Sequence, residues 1–127
     1  MRNTVSAAQI QELRTTAARL AAEPDGPSAA ESANAARTIC ALLGLAHPGG
    51  SVELRIPPYA AVQLGIGERG RHTRGTPPGV VQTDSLTLLE LATGRLSWAD
   101  ALAAHRVRAS GVHSDLAGLW PLPELAH

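Results

Sequence analysis

A chain of 127 residues has room for one ordinary domain, and its eleven basic and eleven acidic side chains cancel. That balance excludes a general pull toward nucleic acid or an anionic membrane, and the single cysteine, Cys40, excludes an internal disulfide framework. With no Phe, one Tyr and two Trp, the core has to be aliphatic, a lining that suits acyl or polyisoprenoid chains and offers bases little to stack on.

The start of the chain lacks the uninterrupted apolar run of a signal peptide, and no window approaches the ~20 apolar residues of a membrane span. A cytoplasmic protein without stable membrane insertion is expected. Ser6-x-x-Gln9 reads as a capping box, in which each side chain satisfies an amide at the helix start. Ile10, Leu13, Ala17, Leu20 and Ala21 then make one apolar stripe, stopped by Pro24-Asp25-Gly26-Pro27. A second box, Ser28-x-x-Glu31, opens a helix with the stripe Ala36, Ile39, Cys40 and Leu43, which Gly44 and His47-Pro48-Gly49-Gly50 are expected to end. Cys40 lies among Ile39, Ala41 and Leu42 and reads as a buried, inert thiol.

At residue 52 the period changes from 3.6 to 2. Val52-Glu53-Leu54-Arg55-Ile56 alternates apolar and charged residues, as a strand with one wet face requires. Pro57-Pro58 breaks the run, and Ala60, Val62, Leu64 and Ile66 supply the next alternating face. Gly67-Glu68-Arg69-Gly70 reads as a hairpin turn leading to a short polar strand at Arg71 to Arg74, and Val80 to Thr83 as a fourth strand. Asp84 or Ser85 can cap a leucine-rich helix that stops at Gly94, and Ser97 caps a shorter one. Val107 and Ala109 alternate with Arg106 and Arg108 in a fifth strand, and a last helical turn or two runs from about Ser114 to Trp120. The expected fold is α+β, in the order α-α-β-β-β-β-α-α-β-α. A five-stranded, mostly antiparallel sheet is covered by helices on one face, and one domain spans residues 1–127 with a helical pair at 1–47.

The segment Leu88 to Gly111 resembles the C-terminal half of the sterol-carrier-protein-2 family. Its apolar helix, Gly94-Arg95-Leu96 turn, Ser97 cap, Ala-bearing short helix and basic–apolar strand ending at Gly111 follow in the family's order. Arg55 to Gln63 and His72 to Pro78 are similar to the stand-alone domains of its high-GC Gram-positive branch, so the resemblance covers about residues 51–122. Where the family usually has Gly the chain has His105, whose backbone can still adopt the left-handed conformation. The resemblance implies a non-catalytic carrier that holds a fatty acid or other lipid between sheet and helices, without a cofactor. The same fold also serves as an accessory domain, so the alternative is an interaction module, including a homodimer.

On that reading the expected pocket walls are Val62, Leu64, Val81, Leu86, Leu89, Trp98, Leu102, Leu116, Leu119 and Trp120. Core packing is the simpler role for any one of them. Arg71, His72 and Arg74 are the expected grip on an anionic head group, against the alternative of a solvated hairpin. The five histidines include no pair at metal-ligand spacing, and no GxSxG elbow surrounds a serine. Gly65-x-Gly67-x-x-Gly70 matches a dinucleotide fingerprint only formally, because it opens no helix. Neither an enzyme nor a metal site is expected.

Overall fold

The structure, a computed structural model, describes residues 4–23, 25–67 and 78–126. Helix α1 (Ala7–Ala22) begins with the expected reciprocal box. The Gln9 amide donates to Ser6 Oγ (3.1 Å), and the Ser6 amide donates to Gln9 Oε1 (2.8 Å). Helix α2 (Ala29–Ala46) starts the same way, with Ser28 and Glu31 exchanging bonds of 3.0 and 2.9 Å. The Ser28 amide holds the Glu31 carboxyl below its ordinary pKa, with the Arg19 guanidinium a smaller contributor.

Gly44 does not end α2; it lies inside the helix. A β-carbon there would stand 2.9 Å from Val62 Cγ2, so its absence lets the helix close onto the sheet. Helix α2 packs against α1 and against the strand that carries Val62, and its stripe residues Ala36, Ile39, Cys40 and Leu43 are all buried. Desolvation pushes the Cys40 thiol up to about 12.

The sheet contains β1 (Val52–Ile56), β2 (Ala60–Leu64), β3 (Gly79–Thr83) and β4 (Val107–Ser110), in the spatial order β2-β1-β3-β4. Among the described residues it has four strands rather than five, and it is mixed rather than a run of hairpins. β1 pairs antiparallel with β2 but parallel with β3, and β3 pairs antiparallel with β4. Burial explains this order. Val52, Leu54 and Ile56 of β1 and Val81 of β3 are all at most 1% exposed, so the two most apolar faces take the centre. β2 and β4, more exposed along their length, take the edges. The expected strand at Arg71 to Arg74, and most of the turn before it, lie outside the described residues.

Helix α3 (Ser85–Thr93) is capped by Asp84 and ended by Gly94 at φ 79°, and it packs against α2. Helix α4 (Trp98–Ala103) is capped by Ser97, whose hydroxyl accepts the Asp100 amide at 3.1 Å. His105 takes the left-handed conformation (φ 58°). The expected final helix shrinks to a 3-10 turn at Ala117–Leu119. Gly118 within it favours no helix, and Asp115 Oδ1 claims the Ala117 amide.

Candidate functional site

The parallel pair β1 and β3 runs toward one end of the sheet, where Ile56 leads into Pro57 and Thr83 into Asp84. A chain of polar contacts fixes that end. Asp84 accepts the Thr87 amide at 2.8 Å and the Thr87 hydroxyl at 2.9 Å. The same hydroxyl accepts from Arg106 Nε at 3.2 Å, and Arg106 also pairs with Glu90. Thr83 Oγ1 donates to the Arg106 carbonyl at 2.7 Å. Thr87 is fully buried, so this line ties β3, the first turn of α3 and the approach to β4 into one rigid unit.

Beside this unit lies an open cleft of about 390 Å³. Asp25, Pro27, Ala29 and Ser32 form one wall, from the turn between α1 and α2 and the first turn of α2. Pro57 and Tyr59 supply the second, and Asp84, Ser85 and Leu86 at the start of α3 the third. Tyr59 is 41% exposed and Leu86 39%, so two large apolar groups remain open to solvent there. The Arg37 guanidinium carbon lies 5.7 Å from the centre of the Tyr59 ring. Ser85 is buried, and its hydroxyl has no hydrogen-bond partner among the described residues. Asp84, not Ser85, carries the helix cap. A second cleft of about 290 Å³ shares Pro57 and Asp84 and is otherwise lined by Gln82, Thr83, His105, Arg106 and Arg108.

The ten apolar residues singled out from the sequence do not converge on one opening. Leu64, Val81, Leu89 and Leu116 are packed in the core at no more than 1% exposure, and Trp98 is buried with them. Val62, Leu119 and Trp120 are half-buried and pack onto the core from outside. The Trp120 indole N–H is buried without a partner among the described residues. Leu102 is exposed, and Leu86 lines the open cleft. Arg71, His72 and Arg74 lie outside the described residues.

Sequence reasoning passed over Tyr59 and Ser85 as site residues. A lone tyrosine after two prolines in a turn was the available signal, because a turn is a poor place to bury a ring. Ser85 reads as a cap from sequence, and the neighbouring aspartate makes that reading natural.

Among the described residues no group of three His, Cys, Asp or Glu side chains is placed to hold a metal ion. Nor is any described helix long and apolar enough to cross a membrane. The arrangement offers shape, apolar contact and hydrogen bonds. Residues 28–122 match a family model described as a bacterial SCP ortholog. No curated protein matches the chain.

Proposed function

The chain belongs to the bacterial SCP ortholog family, and from that membership we propose that it binds and carries a small apolar molecule without transforming it. The match begins at residue 28, so it takes in α2, the sheet and α3, while Asp25 and Pro27 of the cleft wall precede it. The observation that carries the reading is the open cleft of about 390 Å³, where Tyr59 and Leu86 stay exposed beside a core that is otherwise closed. Apolar groups left in water at a concave site gain by covering with a ligand tail, at roughly 25 cal/mol per Å² buried. The volume is in the range of small-molecule pockets.

The residues on this reading divide by role. Leu86 and Tyr59 contact the tail. Leu64, Val81, Leu89 and Leu116 belong to the closed core and serve packing. Val62, Trp98, Leu102, Leu119 and Trp120 do not line this cleft. Arg71, His72 and Arg74, which lie outside the described residues, are proposed to act on the ligand's head group.

Mass spectrometry of an organic extract of the purified protein tests the proposal. Co-purified lipid is expected, and a fluorescent fatty-acid analogue should be displaced by unlabelled chains. Bare protein in the extract, together with no uptake of the fluorescent probe, would sink the carrier reading. A symmetric dimer burying more than ~1,000 Å² would favour the interaction-module alternative instead.

A further inference from the structure

Resting on the reading of the larger cleft as the tail site, we infer that the second cleft, of about 290 Å³, seats an oxyanion at the other end of the same ligand, with Arg108 as its main anchor. The two clefts meet at Pro57 and Asp84, which line both. A tail lying against Tyr59 and Leu86 therefore delivers its head across this shared rim.

The charges of the second cleft are unequally committed. His105, Arg106 and Arg108 line it, and Asp84 is the one acidic residue among its described lining. Asp84 turns one carboxylate oxygen to the Thr87 amide and the other to the Thr87 hydroxyl, so its charge serves the start of α3. Arg106 is engaged as well, pairing with Glu90 and donating to Thr87 Oγ1. The Arg108 guanidinium makes no hydrogen bond or ion pair among the described residues, and neither does the His105 ring. A guanidinium carries donors only, in a fork that fits the oxygens of a carboxylate or a phosphate ester.

Strand register supplies a second observation. Arg55 of β1 stands opposite Gln82 of β3, and Gln82 opposite Arg108 of β4. The three form one row across the sheet, on the face opposite to the one that buries Ile56 and Val81. At one end of the row Glu53 holds the Arg55 guanidinium. At the other end, inside the cleft, Arg108 and the Gln82 amide are both without a side-chain partner among the described residues. Neighbouring strands lie about 4.8 Å apart, which brings the Gln82 amide within reach of an oxyanion held by Arg108. His105 completes the set at the rim. It holds a left-handed backbone (φ 58°) that glycine would adopt without strain, so the fold keeps an imidazole there against a local cost.

Dodecyl phosphate and 1-dodecanol carry one tail and two heads, and each is titrated into the full chain at neutral pH below its aggregation concentration. Dodecyl phosphate should bind at least tenfold more tightly. Arg108→Gln should cut that preference about fivefold. His105→Asn, whose side chain also tolerates the left-handed backbone, should cut it about twofold. Both variants should leave dodecanol within about twofold of its original affinity. Arg55→Gln removes the same charge from the same row, outside the cleft, and should leave the preference intact. Inorganic phosphate alone should bind at least tenfold more weakly than dodecyl phosphate. Equal binding of the two dodecyl probes, or a loss with Arg55→Gln as large as with Arg108→Gln, would overturn the oxyanion site and leave the carrier reading standing. Inorganic phosphate binding as tightly as dodecyl phosphate would make this a site for a free anion and overturn its link to the tail cleft. Failure of both dodecyl probes to bind would overturn the carrier reading and the head site together.

Discussion

The layer beneath the sheet and the cleft at its end draw on the same leucine-rich helix, yet they finish in opposite states. In the layer, Leu88, Leu89 and Leu91 of α3 are at most 1% exposed and pack with Leu54 and Val81 of the sheet and Ile39 and Leu43 of α2. One turn earlier, Leu86 stays 39% exposed, and its neighbour Ser85 keeps a hydroxyl without a partner among the described residues. A closed core leaves nothing for a ligand to gain, because every apolar group already has its contacts. The cleft leaves both apolar surface and polar valence unmet. Within this fold, the closed core and the open cleft are separated by a single turn of helix.

Substitutions in the two regions should therefore separate on two axes, unfolding free energy and probe affinity. Leu89→Ala should have the largest effect on stability, about 2–5 kcal/mol by urea unfolding, as for other fully buried leucines. Thr87→Val removes the hydroxyl that joins Asp84 to Arg106 and leaves both groups short of a partner. It should cost about 1–3 kcal/mol and weaken probe binding as well, because the start of α3 loses its anchor. Asp84→Ala should cost about 1 kcal/mol through the lost cap, and Asp84→Asn much less. Leu86→Ala should change stability by no more than about 0.5 kcal/mol, while affinity for a dodecyl-chain probe falls roughly five- to tenfold. A Leu86→Ala variant that unfolds like Leu89→Ala would erase the distinction between the regions. The smallest effect belongs to Cys40: its buried thiol should ignore a thiol reagent in the native protein and react once the chain is unfolded.

Local chemistry was legible in the sequence. The boxes at Ser6–Gln9 and Ser28–Glu31, the caps at Asp84 and Ser97 and the stop at Gly94 each depend on residues a few positions apart, and all are formed. The alternation of Val52 to Ile56 likewise appears directly in the burial of the strand. Family membership was legible too, from the order of elements around Gly94 and Gly111. Pairing was not. Whether β3 lies beside β2 or crosses to β1 depends on the relative burial of whole strands, which local period does not encode. Gly44 shows the same limit: as a sequence symbol it ends helices, but its role here comes from Val62, eighteen positions away on another element.

The cleft was the least legible feature. Asp25, Tyr59 and Ser85 come from three separate segments, and none carries a motif that names the others. Leu86 was singled out only as one leucine among several. What distinguishes it is that the turn bearing Tyr59 and the first turn of α2 leave a gap in front of it, and that is a tertiary fact.

The most direct test is to titrate the isotopically labelled full chain with a dodecyl-chain probe and follow its backbone amide resonances. The account predicts that the largest shifts map to Tyr59, Ala60 and Ser85 to Thr87, with smaller ones at Ala29 to Ser32, while the amides of Leu88 to Ala92 stay nearly unmoved. Shifts centred on Leu88 to Ala92 and Val81, with Tyr59 and Leu86 silent, would place the ligand in the core and contradict it.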